Sequence, residues 1–306
     1  MRAKAYAKVN LSLRVRSLDA DGFHPLRGLF QTVDWYDEIM VEDAADDSIA
    51  VPGGGAPADT TNLAWRAVTE ARRLGKHPAP TRVVVTKQIP SPAGLGGGSA
   101  DAAAALNLAA RRFSVPFDDI RTLAADLGSD VPFAVVGGTA IVTGRGEFVA
   151  PLPDAVGFAL AVVVPPIVLR TGAVFRSWDV LGGPDGPGIA GADLPPALRD
   201  HAPLVNDLYP AAVAIAPEID EWRAELSHRW GLPVAMTGSG AALFSYFPTR
   251  EEAEDALVTV PAGATAAKAV TPINRGWEIV ASAEGRSDAQ ERSDDAGRRW
   301  ETEPRR

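Results

Sequence analysis

The stretch PSPAGLGGGSADAAAAL, residues 90–106, places four glycines (Gly94, Gly96, Gly97 and Gly98) within five positions, directly before a run of alanines. Alanine is the strongest helix former and glycine among the weakest. A chain that sets one against the other must turn sharply and start a helix at once. The strand-like segment TRVVVTKQI arrives at this turn, and the sequence predicts a helix leaving it over about residues 100–112. Ser99 is expected to cap that helix and Asp101 to favour its positive first turn, while Arg111 and Arg112 suit its negative end. A helix start behind glycines is an anion site, because missing side chains let backbone N–H groups approach a ligand closely. A tight turn without any ligand has the same local composition. A Walker A loop is excluded, since Gly98 is followed by Ser99 and Ala100 rather than Lys and Ser or Thr. The dinucleotide pattern G-x-G-x-x-G is matched by Gly94 and Gly96, but its last position is Ser99.

The 306 residues suggest one large domain or two of ordinary size, and 46% hydrophobic residues suffice for a real core. Without cysteine there are no disulfides or thiolate metal sites, and four histidines leave little for a histidine-built one. A net charge of −9 opposes non-specific nucleic-acid binding. The N-terminus MRAKAYAKVNLSLRV lacks the apolar core of a signal peptide, and the most apolar run, residues 158–169, is too short for a membrane span. A cytoplasmic protein, binding neither membrane nor nucleic acid, is the expectation.

Strands and helices alternate irregularly, which indicates an α+β fold. AKAYAKVNLSLRV alternates as a half-buried strand and puts Lys8 and Asn10 on one polar face. TNLAWRAVTEARRLG reads as a helix stopped by Gly75, DDIRTLAADLG as another, and GGTAIVTGRGEFVAPL as a hairpin around residues 144–146. Further helices are expected in residues 205–226 and 249–260, the second opened by a Thr249/Glu252 capping box, and strands in AALFSYF and GWEIVAS. The expected division is 1–155, 156–283 and a disordered tail over 284–306, which has almost no apolar residues.

Several residues admit two readings. Asp130 in LGSDVPF is either the cap of a helix carrying Pro132 in its first turn or a general base. Lys8 and Asn10 are either surface polar groups or site residues. Phe23 and His24 either anchor a loop or hold a base by stacking and edge hydrogen bonds. Gly238, Ser239 and Gly240 either ease a strand start or permit another close backbone approach.

Taken in order, AYAKVNLSLRV, PSPAGLGGGSA and MTGSGAALF resemble the three motifs of the GHMP kinase superfamily. With DGFHPL, LFQTVDWYDEI, TNLAWRA, LGSDVPF, GGTAIVTGRGE and VNDL, residues 1–283 look most like its 4-diphosphocytidyl-2-C-methyl-D-erythritol kinase family. The resemblance implies a two-domain GHMP kinase fold with ATP and substrate in the cleft between the domains. It implies that Pro92, Ala93, Gly94, Leu95, Gly96, Gly97, Gly98, Ser99 and Ala100 wrap the ATP phosphates, with Asn62, Leu63 and Lys87 near the adenine. Asp130 is then the base for the 2-hydroxyl, with Lys8 beside it, and Mg²⁺ bridges phosphate oxygens with Ser99 as a ligand. Asn10, Phe23, His24, Thr171, Phe175, Gly238 and Ser239 are implied to hold the cytidine diphosphate methylerythritol, the cytosine lying between Phe23 and Phe175. The implied partner is this small molecule alone, in a monomer or weak homodimer. The family usually has DGYH, so Phe23 keeps the ring and lacks the phenol. A mevalonate- or homoserine-type kinase, a dinucleotide oxidoreductase and a non-catalytic nucleotide-binding protein are the alternatives.

Overall fold

The computed structural model describes residues 1–20 and 22–280, so the tail expected over 284–306 lies outside the described residues. The first half supplies strands β1 (Arg2–Val15), β2 (Leu26–Asp43) and β3 (Ser48–Ala50), helix α1 (Leu63–Leu74) and strand β4 (Thr81–Thr86). Helices α2 (Gly97–Phe113), α3 (Phe117–Leu127) and α4 (Val131–Val136) follow, then the hairpin β5 (Thr139–Gly144) and β6 (Phe148–Pro151). The second half supplies β7 (Ala159–Val164), α5 (Thr171–Val180), β8 (Gly188–Ile189), β9 (Leu204–Val205), α6 (Tyr209–Ile215) and α7 (Glu218–Trp230). It ends with β10 (Ala235–Met236), β11 (Leu243–Phe247), α8 (Arg250–Leu257), β12 (Ala266–Val270) and β13 (Trp277–Ile279).

A seven-stranded sheet has the order β13-β1-β2-β4-β3, with β5 also on β2 and β6 on β5. A four-stranded antiparallel sheet has the order β10-β11-β7-β12. The chain thus leaves the first sheet after β6 and enters the second at β7. It returns at β13, where Ala3 pairs with Ile279 and Ala5 with Trp277. The second half therefore contributes its last strand to the first sheet. Among the described residues, no helix is long and apolar enough to cross a membrane.

Helix α2 is the centre of the first half. Residues 102–110 are all buried, six of them alanine. Small side chains on every side let it pack closely between α1 and the sheet, as expected of a helix apolar all round. Its start differs from expectation. Gly96 in the left-handed conformation occupies the cap, no side chain caps the helix, and Ser99 lies already inside the first turn. Asp101 is likewise no exposed dipole partner but a buried residue.

The expected helix over 205–226 is two helices. Pro217 fixes its φ and offers no N–H, and the chain breaks at Ala216 between α6 and α7. Strand β12 was not anticipated, because TAAKAV carries no clear alternation; its pairing with β7 along Ala266–Val270 supplies the missing information. The Thr249 cap is present, with Thr249 Oγ1 accepting from the Glu252 N–H.

Candidate active site

Strand β1 is buried throughout residues 5–11, so the polar face carrying Lys8 and Asn10 is an interior one. A solvated lysine is thereby excluded. Register shifts between Tyr6 and Lys8 and between Asn10 and Ser12 mark bulges on either side of these residues. Bulges re-aim side chains and recur beside active sites. A buried ammonium needs partners, and Lys8 Nζ has three. It donates to Asn10 Oδ1 and to the Gly94 carbonyl at 2.9 Å, and it lies 3.4 Å from Asp130 Oδ2.

Asp130 does stand at the cap position of α4, but its side chain makes no capping hydrogen bond. It turns instead toward Lys8 and remains 31% exposed. The direction of its oxygens takes Asp130 out of the capping role and places it beside Lys8 on the cavity wall.

The glycine loop is clamped from both sides. The Lys8 N–H donates to the Leu95 carbonyl, and the Ala242 N–H to the Ala93 carbonyl. Gly94 has φ +79°, and a Cβ there would stand 2.3 Å from the Thr237 carbonyl oxygen. Gly96 has φ +69°, and a Cβ would press on the Lys8 side chain at 2.9 Å. These two positions require glycine, and they bring the three motifs into contact. Thr237, a residue the sequence did not single out, accepts from the Asn10 N–H at 2.8 Å. Asn206 holds the third motif by donating to the carbonyls of Met236 and Gly238 at 2.7 and 2.8 Å.

One cavity of about 460 Å³ collects these groups. Its wall includes Lys8, Asn10, Phe23, His24, Leu63, Asp130, Thr171, Phe175, Gly238, Ser239 and the loop from Pro92 to Ser99. Thr171 Oγ1 lies 2.9 Å from Ser239 Oγ, tying α5 to the third motif. Phe23 and Phe175 share the cavity but are not stacked on each other. Phe175 stacks on His24, with ring centroids 5.3 Å apart, and Phe23 lies under the Arg145 guanidinium, 4.0 Å from its Cζ. The His24 ring nitrogens already face the Arg16 carbonyl at 3.0 Å and Asp179 Oδ2 at 3.2 Å. Arg145 and Ser129 on this wall were not foreseen. Nothing local distinguishes Arg145 from an ordinary hairpin-tip charge.

Three expected residues do not reach the cavity wall. Ala100 is buried inside α2. The Asn62 side chain caps α1, accepting from the Ala64 N–H at 2.9 Å and donating to the Pro57 carbonyl at 2.7 Å. Lys87 Nζ sits in a buried cluster, 2.5 Å from Asp37 Oδ2 and 2.7 Å from Asp101 Oδ2. Asp37 Oδ1 also accepts from the Gln88 and Ile89 N–H groups. Burial pulls the Lys87 ammonium down, but Asp101 and Asp37 outweigh it and hold it above its ordinary value. Burial pushes the Asp101 carboxyl up to about 8 against the pull of Lys87.

Lys87→Met is expected to cost about 3–5 kcal/mol of stability at pH 8, because it leaves buried carboxylates without a cation. The sign with pH follows. The folded-state Asp101 carboxyl is raised, so the folded chain keeps an extra proton above the ordinary carboxyl range, and stability falls as pH rises through that window. Denaturant unfolding at pH 5 should therefore show a smaller loss than at pH 8, and an equal loss would overturn this account.

The model described as GHMP kinases N terminal domain matches residues 62–138, and that described as GHMP kinases C terminal matches residues 194–264. A 4-diphosphocytidyl-2-C-methyl-D-erythritol kinase of Cutibacterium acnes (strain DSM 16379 / KPA171202) is 38% identical over 252 residues, 76% of this chain and 81% of that protein. One from Novosphingobium aromaticivorans is 37% identical over 265 residues, 85% of this chain and 89% of that protein. A crystal structure of 4-(cytidine 5'-diphospho)-2C-methyl-D-erythritol kinase superposes with a TM-score of 0.71 at 30% identity, covering 89% of this chain and 99% of that one. Similarity of this degree over three quarters or more of the chain, with family models matched in both halves, establishes that the chain belongs to the 4-diphosphocytidyl-2-C-methyl-D-erythritol kinase family of the GHMP kinases.

Proposed function

We propose that the chain transfers the γ-phosphoryl group of ATP to the 2-hydroxyl of 4-diphosphocytidyl-2-C-methyl-D-erythritol, a step of non-mevalonate isoprenoid precursor synthesis. The observation that carries the reading is the Lys8–Asp130 pair, 3.4 Å apart, on the same cavity wall as the open start of α2. In this reading the cavity lies between the halves 1–155 and 156–283 and is the cleft of the two-domain fold.

The chain's residues fit a triphosphate. A 17-residue helix starts at a glycine with no side-chain cap, so its first N–H groups are available to phosphate oxygens. Gly94 to Ser99 cradle the phosphate tail, flanked by Pro92 and Ala93. Leu63 borders the adenine. Asn62 and Lys87 support that end from behind, through the α1 cap and the buried ion cluster. Asp130 accepts the proton of the 2-hydroxyl as its oxygen forms the bond to the γ-phosphorus and the bond to the bridging oxygen of ADP breaks. Lys8 stands beside Asp130 and faces the charge of the moving phosphoryl group. Among the described residues no group of three His, Cys, Asp or Glu could hold a metal. Mg²⁺ is therefore proposed to arrive with ATP, with Ser99 Oγ as the protein ligand on the cavity wall. When bound, it neutralises phosphate charge.

Asn10, Phe23, His24, Thr171, Phe175, Gly238 and Ser239 line the end assigned to the cytidine diphosphate substrate. Phe23→Ala is expected to raise the KM for that substrate by roughly tenfold, since base stacking contributes about 1–3 kcal/mol. The KM for ATP should stay within twofold. Steady-state kinetics for each substrate, beside a melting curve, tests this. Equal increases in both KM values would make Phe23 a loop anchor instead.

A coupled assay of ATP consumption with the cytidine substrate, mevalonate and homoserine in separate reactions tests the whole proposal. Turnover only with the cytidine substrate is expected; preferred turnover of either other alcohol would overturn it. A cytoplasmic location and a monomeric or weakly dimeric state belong to the same proposal.

A further inference from the structure

Past Thr86 the chain leaves the sheet. The β2–β4 ladder ends at the Glu38–Thr86 pair, and the glycine loop begins at Pro90. Between them, two side chains of β2 take over from the ladder. Asp37 Oδ1 accepts from the Gln88 and Ile89 N–H groups at 2.5 and 2.8 Å, and Trp35 Nε1 donates to the Gln88 carbonyl at 2.9 Å.

The other oxygen of Asp37 reaches toward the far end of the loop. Asp37 Oδ2 is 2.5 Å from Lys87 Nζ, which donates at 2.7 Å to Asp101 Oδ2 in the second turn of α2. Lys87 and Ile89 also pack on the first residue of that helix. A Cβ on Gly97 would stand 3.2 Å from Lys87 Nζ and 3.1 Å from Ile89 Cγ2. One carboxylate thus holds the entry of the loop and, through Lys87, the helix start at its exit. Asp37, Lys87 and Asp101 all lie off the cavity wall, so Asp37 acts on a ligand only through these contacts. Stability alone does not account for the cluster. Two buried carboxylates share one cation, and Asp101 Oδ1 has no hydrogen-bond partner among the described residues. Apolar residues of similar volume are often as stable as a buried ion pair, whereas a carboxylate offers acceptors on two sides at once.

We infer that Asp37 is a positioning residue for phosphoryl transfer, which sets the phosphate cradle from behind by fixing the two ends of the glycine loop to each other. This rests on the proposed function for the identity of the phosphate ligand, ATP. An asparagine at this position has the same shape and a single acceptor oxygen. It satisfies either the two loop N–H groups or Lys87, and its NH2 group faces donors on the remaining side. The loop entry and the helix start then shift relative to each other, and displacements of about 1 Å are costly at a reacting centre.

Steady-state kinetics of Asp37→Asn, with ATP and the cytidine substrate varied in turn, tests this beside Trp35→Phe and melting curves. Asp37→Asn should raise the KM for ATP roughly tenfold and leave the KM for the cytidine substrate within about twofold. Trp35→Phe cuts the bond to Gln88 and spares the link to α2. Its KM for ATP should stay within about threefold, even where its melting temperature falls as far. A lower melting temperature with both KM values unchanged would overturn the inference and leave Asp37 a structural ion-pair member. Equal increases in both KM values would overturn it too, because the disturbance would not be confined to the phosphate cradle. Should Asp37→Asn not fold, Asp101→Asn puts the same question from α2. It weakens the Lys87 link and leaves the Asp37 grip on Gln88 and Ile89 in place. Its KM for ATP should rise about threefold or more, and an unchanged value would overturn the inference. Wild-type turnover in the same assay separates the two failures: without it the proposed function and this inference fall together, and with it only the positioning role is at stake.

Discussion

Asp130→Asn is expected to lower kcat by a factor of about one hundred or more, the usual contribution of a positioned general base. The KM for ATP should stay within about twofold. The amide keeps the size of the side chain and loses the capacity to take the hydroxyl proton. The surroundings should tolerate the change well. Lys8 keeps its bonds to Asn10 Oδ1 and the Gly94 carbonyl, and no capping bond of α4 is lost, because the Asp130 side chain makes none. The melting temperature should accordingly move little. Rapid-quench measurement of a single turnover isolates the chemical step from product release. A variant that phosphorylates the substrate at near wild-type rate would show that Asp130 does not act as the base.

The placement of Asp130 was half legible in the sequence. LGSDVPF marks a helix start, and a carboxylate is a preferred cap there, so local chemistry favours the structural reading. Only the fold shows that the oxygens face Lys8, 122 positions away in the chain. The same holds for Lys8 and Asn10. Alternation placed them together on a polar face, but alternation cannot report that the face is covered. The two bulges and the clamping of Leu95 and Thr237 over β1 decide that.

Long, periodic elements were readable because their signals are local: β1, α1 with its Gly75 stop, and the β5–β6 hairpin. What failed depended on partners. Strand β12 is a strand because β7 lies beside it. Ser99 looks like a cap, yet two preceding glycines already turn the helix, and the left-handed Gly96 takes the position. Asp101 looks like a favourable first-turn acid, yet β4 brings Lys87 against it from below. Thr237 and Arg145 lie inside the quoted motif stretches but nothing local singles them out, and each matters through a contact with residues far away in sequence.

Gly94→Ala is expected to reduce kcat/KM for ATP by about one hundredfold or more and to lower stability as well. The position combines two demands. Its φ of +79° lies in the left-handed region, where a Cβ costs about 1–2 kcal/mol. The added carbon would also meet the Thr237 carbonyl oxygen at 2.3 Å and the Gly240 backbone at 3.2 Å. Backbone cannot rotate away as a side chain can, so the loop must part from the third motif. That parting disturbs the Gly94 carbonyl that accepts from Lys8, and with it the position of the cation beside Asp130. Displacements of about 1 Å at a reacting centre cost on the order of a hundredfold. Gly98→Ala supplies the contrast within the same loop. Gly98 is helical, and a Cβ there would meet only Leu63 Cδ1, at 3.9 Å. Helix propensity should then raise stability by up to about 1 kcal/mol. Any effect on catalysis would come from the methyl group's approach to the phosphates. Melting curves and ATP kinetics on the two variants check the argument together. If Gly94→Ala melts no lower than Gly98→Ala, the loop and the third motif are not held by the contact described here.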